Sequence, residues 1–231
     1  MFEPTASDSR LPFGGVARIP APYAIDADWE GWRPGRPFEG AVWLLGRTGR
    51  HAKSVVQALE SVFERGVGRD RVPLAMVRCT VTEGNLESSG VYMESDARPV
   101  DVRLTLRTPL RIVRQRTNLR TFCLPALTRD LNIRLAAWGT YQQGLAWMPH
   151  WSFLSGDANA ARVAADETRW VWFRRYSARQ QRPLLLGGLL GEVRLTGVTL
   201  PLLALLRAAE VMGAGKGRTI GLGRVRVEVP Q

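Results

Sequence analysis

The order of hydrophobic patterns between residues 101 and 229 most constrains what this chain can fold into. Strands are predicted where apolar and polar residues alternate, and helices where apolar residues recur every three or four positions. In chain order the predicted elements are a strand at 101–112, a helix at 124–143, strands at 169–177 and 189–197, a helix at 199–212 and a strand at 219–229. This β-α-β-β-α-β order is typical of the ferredoxin-like fold. The predicted fold class is α+β, with a ferredoxin-like (RRM-like) C-terminal domain at 101–231.

Local signals favour the starts of both helices and a loop between them. Pro125 lies in the first turn of the first helix, while Thr199 and Pro201 are a cap and a first-turn proline for the second. Residues 147–159 are rich in Trp, Gly and Asn and are predicted to form a loop. Residues 114–120 are predicted to form a basic connection.

The first hundred residues are less regular and are treated as a separate N-terminal region, 1–100. Residues 1–40 are rich in Pro and Gly, which predicts extended chain with turns and no helix. The elements predicted after them are a strand at 41–46, an amphipathic helix at 51–66, and strands at 73–81 and 91–94.

The chain is strongly basic. It has 32 Lys and Arg residues against 21 Asp and Glu, which gives a net charge of +11, and its only lysines are Lys53 and Lys216. A guanidinium group grips phosphate with two donors and stacks on bases, so this excess points to nucleic acid. A GC-rich genome would explain the preference for Arg over Lys, although not the net charge. An acidic protein partner and an anionic membrane are the alternatives.

Several other classes of protein are disfavoured by the sequence. No apolar run reaches the ~20 residues of a membrane span, and the N-terminus has no signal-peptide pattern, so a cytoplasmic location is expected. Cys79 and Cys123 are too few for a disulfide framework or a zinc site, and both are expected to be reduced and buried. The carboxylates are scattered, so neither a metal site nor a cofactor is predicted.

Glycines and cations cluster at 213–224, between the last predicted helix and the last predicted strand. The cluster contains Gly213, Gly215, Lys216, Gly217, Arg218, Gly221 and Gly223. Glycine lets backbone N–H groups approach an anion closely, so this segment is predicted to bind phosphate. It runs from helix to strand and lacks a Lys-Ser/Thr pair, which argues against a P-loop or a dinucleotide-binding turn. A glycine-rich turn without a ligand is the alternative.

This segment resembles the C-terminal signature of RAMP-superfamily CRISPR proteins, and most closely the endoribonuclease family that cuts CRISPR repeat RNA into guide RNA. The resemblance rests on residues 44–69, 108–112, 173–193 and 211–228. It implies a metal-independent endoribonuclease in which the RNA's own 2′-OH attacks the adjacent phosphate, giving a 2′,3′-cyclic phosphate and a 5′-OH. It also implies that the protein stays bound to the product hairpin (crRNA stem-loop), with other CRISPR effector-complex subunits as partners.

Members of that family usually carry two ferredoxin-like halves and often use a histidine in the first one. Because 1–100 lacks a clear opening strand and helix, it is expected to be a reduced ferredoxin-like half. His51 lies at the predicted start of the helix, where the helix N-terminus favours phosphate. We predict His51 as base or acid, with Lys53 and Arg50 stabilising the phosphate. A histidine without a catalytic role and a site built from Arg and Lys alone are the alternatives.

Further basic side chains are predicted to hold the RNA backbone. Besides the cluster at 213–224, the predicted RNA-binding residues are Arg47, Arg114, Arg116, Arg120, Arg129, Arg134, Arg175 and Arg179. Contacts of this kind position an RNA without reading its sequence, and a merely solvated surface is the alternative for each arginine cluster. His150, between Trp147 and Trp151, is a weaker catalytic candidate.

Three alternative functions stay open at this level. The chain could be a catalytically inactive crRNA-binding subunit of a CRISPR effector complex. It could also be a structural subunit of such a complex, or an unrelated basic ferredoxin-like RNA-binding protein.

Overall fold

The computed structural model describes residues 21–27, 35–67, 71–84, 98–139, 151–177 and 180–230. Its helices and strands, in chain order, are β1 (Tyr23–Ala27), β2 (Gly40–Leu44), α1 (Ala52–Arg65), β3 (Val100–Leu110), β4 (Val113–Arg114), β5 (Thr117–Asn118), α2 (Leu124–Trp138), α3 (Trp151–Ala160), β6 (Arg162–Asp166), β7 (Arg169–Ser177), β8 (Arg182–Val198), α4 (Leu200–Met212) and β9 (Val225–Glu228). Short 3-10 helices lie at Gly46–His51 and Arg218–Ile220. Among the helices of the described ranges, none is both long and apolar enough to cross a membrane.

The C-terminal sheet has the ferredoxin-like strand order, so the predicted fold class is confirmed. β3 lies between β8 and β9, and all of these pairs are antiparallel. The position beside β8 is shared by two strands, because β6 pairs with its C-terminal end and β7 with its N-terminal end. If the strand positions are numbered by their order in the chain, with β6 and β7 sharing the second, their order across the sheet is four, one, three, two. The long β8 extends past the end of β3 and forms a two-stranded hairpin with β7.

Alternating side chains on the two central strands and one face of each helix form the core. The fully buried residues of the strands include Val102, Leu104, Leu106, Val193 and Leu195, and those of the helices include Leu127, Leu131, Leu202 and Leu206. Burying each such side chain contributes about 1.5–3 kcal/mol to the free energy of unfolding. The start of α4 is fixed as predicted, because the Thr199 hydroxyl accepts from the Leu202 N–H and Pro201 lies in the first turn.

The predicted helix at 51–66 and strand at 41–46 are confirmed as α1 and β2. Two other predictions for the first half are wrong. Tyr23–Ala27 forms a strand that pairs with β2 across a Pro- and Gly-rich connection, where extended chain with turns was predicted. Residues 73–81 form no strand, because no described strand pairs with them, and Val77 is 90% exposed. Cys79 in this segment is therefore exposed and Cys123 is only partly buried, whereas both were predicted to be buried. The strand predicted at 91–94 lies outside the described residues.

The loop predicted at 147–159 is also wrong in part, because its second portion is the helix α3. Ala158 is buried in the core, Leu154 packs against it, and Asp157 accepts a hydrogen bond from the Thr199 hydroxyl at the start of α4 (2.6 Å). Tertiary contacts thus outweigh the weak helix propensities of Gly and Asn here. The strand predicted at 219–229 begins only at Val225, and the basic connection at 114–120 contains the small hairpin β4–β5.

Candidate nucleic-acid interface

The glycine-rich segment folds as a compact, mostly buried loop that is held by its own backbone. Ala214 N–H donates to Gly223 O (2.8 Å), Lys216 N–H to Arg111 O (2.8 Å), and Gly223 N–H to Pro109 O (3.2 Å). The N–H groups of residues 220–222 also bond to carbonyls within the loop. Most of the amides that the sequence offered to an anion are therefore used inside the protein: some bond within the loop, and those of Lys216 and Gly223 join it to the end of β3.

The glycines are required by close packing as well as by backbone conformation. Gly213, Gly215, Gly217, Gly221 and Gly223 all have positive φ, which side chains with a Cβ adopt only with strain. A Cβ on Gly223 would lie 1.8 Å from Ala214 O, and one on Gly215 would lie 2.4 Å from Arg111 O. These glycines therefore have a structural role whether or not RNA contacts the loop.

Two arginines that the sequence placed among the RNA ligands lie inside this arrangement. The Arg134 Nη2 donates to both oxygens of Asp130 (2.8 and 2.7 Å) and to Gly215 O (2.9 Å), while Asp130 also accepts from Gly215 N–H. The buried Arg218 donates to Met212 O and lies 5.0 Å from the Trp138 ring centroid. Both guanidinium groups fasten α2 and α4 to the loop, so their role as RNA ligands stays a prediction.

Burial above all, together with the neighbouring Arg134 cation, lowers the pKa of Arg218 to about 9, and Asp130 opposes both effects. At neutral pH the group is still protonated, because the pKa lies well above 7. Its charge is held by the indole face and by backbone carbonyls, which are partners suited to a cation inside a protein.

The exposed edge of the loop is small. The Lys216 side chain is exposed, and Gly217 beside it is partly exposed. Within the described part of the chain, the N–H groups of Gly217, Arg218 and Thr219 have no protein acceptor. Three consecutive free amides next to a lysine are the part of the loop that suits an anion.

A short stretch of backbone joins this loop to the turn that carries His51. Arg218 Nη2 donates to Ala21 O (3.5 Å) on one side. On the other side, Pro22 O accepts from Leu45 N–H (2.9 Å) and lies 3.2 Å from the Thr48 hydroxyl. Since Leu45 and Thr48 lead directly into His51, the two regions flank the same two residues, Ala21 and Pro22.

A second connection involves Asp26 in β1. Its carboxylate pairs with the buried Arg224 guanidinium (2.8 Å) and lies 3.9 Å from Arg107, and Arg224 also lies 5.9 Å from the Trp43 ring centroid. The N-terminal strands are thereby attached to the base of the glycine-rich loop.

His51 directly precedes α1, as predicted, and its imidazole is partly exposed. Arg50 Nε donates to His51 Nε2 (3.1 Å), so the guanidinium lies beside the ring. Arg47 and Lys53 are exposed on either side. Arg47, Arg50, His51 and Lys53 thus lie around the junction of the 3-10 helix Gly46–His51 with the 14-residue helix α1, where Ala52 N–H already donates to Gly49 O.

The other predicted arginines are distributed over the C-terminal domain. Arg114 and Arg116 are exposed on the β4–β5 hairpin, where Gln115 and Arg116 both have positive φ. Arg129 is exposed on α2, and Arg175 is exposed on β7, while Arg179 lies outside the described residues. Among the described residues, no group of three or more His, Cys, Asp or Glu could hold a metal ion.

Sequence reasoning missed several residues that shape the interface. Asp130 and Trp138 are the partners of the two buried arginines, and Asp26 is the partner of Arg224. Trp170 and Trp172 were not selected, although Arg120 lies 5.6 and 5.7 Å from their ring centroids. Local spacing could have indicated only the alternating tryptophans of β7 and the i, i+4 pair Asp130–Arg134 on α2. The other pairs join positions far apart in the chain.

The strand order and the basic, glycine-rich interface define a ferredoxin-like protein of the RNA-binding class. A family model described as CRISPR-associated endoribonuclease Cas6 matches residues 104–225, more than half of the chain. The chain therefore belongs to this family, whose members process CRISPR repeat RNA. A second model, described as an N-terminal domain, matches residues 1–103.

Solved structures share the fold at low sequence identity. A Cas6 product complex has a TM-score of 0.60 and 19% identity, with 90% of this chain and 82% of that one covered. A Thermus thermophilus Cas6 product complex has a TM-score of 0.62 and 15% identity at the same coverage. A partial Cas6-RT-Cas1–Cas2 complex has a TM-score of 0.56 and 15% identity, with 90% of this chain and 39% of that one covered. No curated protein sequence matches the chain.

Proposed function

We propose that this chain is a metal-independent endoribonuclease that cuts CRISPR repeat RNA, leaves a 2′,3′-cyclic phosphate and stays bound to the product hairpin. The observation that carries the proposal is the turn at Gly46–His51. It carries Arg47, Arg50 and His51, with Lys53 in the first turn of α1, and through Thr48 it contacts the backbone stretch that Arg218 of the glycine-rich loop contacts from the other side.

The reaction needs a base, an acid and cations near the phosphate. His51 removes the proton from the 2′-OH, the 2′-oxygen attacks the adjacent phosphorus, and the bond from phosphorus to the 5′-oxygen breaks. A protonated group then donates a proton to that 5′-oxygen. Arg50 and Lys53 stabilise the additional negative charge on the phosphate in the transition state. The same imidazole can serve as acid if the base lies elsewhere, so the role of His51 is proton transfer.

Binding of the hairpin uses the exposed cations of both regions. We assign phosphate contacts to Arg47 in the turn, to Lys216 with the free amides of residues 217–219, and to Arg114 and Arg116 on the β4–β5 hairpin. All four side chains are exposed, and such contacts hold an RNA by its backbone. The product complexes among the similar structures support retention of the product.

We further propose that the chain divides near residue 100 into a reduced N-terminal half and the C-terminal ferredoxin-like domain. The limits of the two family models, 1–103 and 104–225, support a division at that point. The similarity to a Cas6-RT-Cas1–Cas2 complex supports other CRISPR subunits as partners.

Incubation with CRISPR repeat RNA in excess EDTA tests this function. The expected result is a single cut, with a 5′ fragment that resists phosphatase until acid opens its cyclic phosphate. Full activity that disappears in EDTA and returns with Mg²⁺ would contradict metal independence. Salt-sensitive hairpin binding without any cut would favour the catalytically inactive crRNA-binding subunit.

A further inference from the structure

One face of the hairpin β7–β8 carries large apolar side chains that project beyond the sheet. The last pair between β3 and β8 is Leu110 with Leu189, so residues 182–188 of β8 pair only with β7. On this part of the hairpin, Trp172 and Tyr176 alternate along β7, and Leu185 lies opposite Arg174 on the same face. We call Trp172, Tyr176 and Leu185 the hairpin strip.

The hairpin strip is open to solvent. The exposed fractions are 55% for Trp172, 51% for Tyr176 and 61% for Leu185. Single exposed apolar residues are ordinary, whereas neighbouring large ones on one face indicate a binding surface. Trp172 and Tyr176 are four residues apart, or about 13 Å at ~3.3 Å per residue, so each ring can contact a different group.

Two neighbouring side chains, Trp170 and Arg120, contact the Trp172 ring and orient it. Its neighbour Trp170 contacts it edge to face, with 5.7 Å between ring centroids, and the Trp170 ring occupies the space where Gly187 lacks a side chain. The Arg120 guanidinium carbon lies 5.7 Å from the Trp172 centroid. Because these contacts orient the ring in advance, little conformational freedom is lost when a flat group stacks on it.

The charge around the hairpin strip identifies the kind of partner. No Asp or Glu occurs between Thr168 and Gly191. The face of the strip itself carries Arg174, which pairs with Leu185, and Arg120 lies beside Trp172, whereas Arg169, Arg175 and Arg182 lie on the opposite face of the hairpin. An apolar protein partner has no groups to pair with these cations, whereas a nucleic acid has both phosphates and flat bases. Aromatic side chains beside arginines are the usual means of holding unpaired nucleotides.

We propose that the hairpin strip is a stacking site for unpaired nucleotides of the RNA, with Trp172 as its main contact. The inference rests on the proposed function, since it extends the same RNA beyond its hairpin. Bases inside a stem are already stacked on each other and are closed to Trp172. The site therefore selects the single-stranded segment that adjoins the stem.

The test compares two RNAs: a blunt repeat stem-loop, and the same stem-loop with unpaired adenosines at both ends. The wild-type protein should bind the extended RNA more tightly. Trp172→Leu, which keeps an apolar side chain without an aromatic face, should weaken binding of the extended RNA roughly 5- to 100-fold. It should leave binding of the blunt RNA unchanged.

Two further variants make the result specific to stacking. Trp172→Tyr retains a ring and should keep most of the additional affinity, while Val163→Ala removes an exposed apolar side chain on β6 and should have no effect. Equal affinities for Trp172→Leu and Trp172→Tyr, or no gain from the unpaired ends in the wild type, would overturn the stacking site alone. Failure of the wild type to bind even the blunt RNA would overturn the proposed function instead.

Discussion

The glycine-rich loop and the turn at Gly46–His51 face the same two residues, Ala21 and Pro22, yet they are built in opposite ways. The loop is mostly buried, and most of its amides and its Arg218 are bonded within the loop or to neighbouring elements. The turn is mostly exposed, and its cations have few partners among the described residues.

We therefore expect the loop to determine the stability of the protein and the turn to determine the cleavage of RNA. The sequence feature that most clearly indicates the family is used mainly to build the fold, and only Lys216 and the amides beside it remain open to RNA. The residues with free reactive groups lie in a turn whose sequence is much less distinctive. Mutations in the two regions are therefore expected to change different measurements.

The largest expected effect on stability is that of Gly223→Ala. The new Cβ would overlap Ala214 O and the residue would need a positive φ, so the free energy of unfolding should fall by about 3 kcal/mol or more. For a chain of this size that lowers the melting temperature by roughly 6–12 °C. Thermal unfolding measures it, with Gly49→Ala in the turn at Gly46–His51 as control, because no atom lies within 4 Å of that added Cβ. Similar melting temperatures for the two variants would remove the distinction between the regions.

Asp130→Ala should have the next largest effect. It leaves the mostly buried Arg134 without its carboxylate and Gly215 N–H without its acceptor, which should reduce the free energy of unfolding by about 2 kcal/mol. Urea denaturation measures the loss. Glu167→Ala is the matched control, because its ion pair with Arg194 has the same 2.8 Å distance but is exposed on both sides and should contribute less than about 1 kcal/mol. Equal losses would show that Asp130 does not hold the loop.

Lys216→Ala should have the smallest effect and a different one. The fold should be unchanged, because the side chain is exposed. Loss of one phosphate contact should lower the slope of log K against log salt by about 0.7–0.9 for repeat RNA. Arg226→Ala on β9, where Arg226 pairs with Glu228, is the control that should keep the slope. An unchanged slope in Lys216→Ala would move the phosphate contact away from the loop.

Much of the C-terminal domain could be predicted because its signals are local. The alternation in β3, the cap at Thr199 and the apolar face of α2 each depend on neighbouring residues, and each led to the right element. The strand at Tyr23–Ala27 and the helix α3 could not be predicted in this way. Both depend on partners distant in the chain, β2 for the strand and the start of α4 for the helix.

The same limit applies to the candidate site. His51 and its neighbouring cations are contiguous, so their association could be predicted from the sequence. The burial of Arg134 and Arg218 could not, because it depends on contacts with Gly215 and Trp138 that only the fold creates. The sequence alone does not distinguish an arginine that binds RNA from one that donates to a backbone carbonyl.

The proposal that His51 in the turn at Gly46–His51 transfers a proton during RNA cleavage is tested most directly by a rate measurement. The single-turnover rate of repeat-RNA cleavage in EDTA is compared for the wild type, His51→Ala and Gly49→Ala. We expect His51→Ala to lower the rate by roughly 10²- to 10⁴-fold, because the variant lacks the proton-transfer group. The hairpin affinity and the melting temperature of His51→Ala should equal those of the wild type, and Gly49→Ala should cleave the RNA at the wild-type rate. A His51→Ala rate within twofold of the wild type would contradict the account and place the chemistry on arginine or lysine side chains elsewhere.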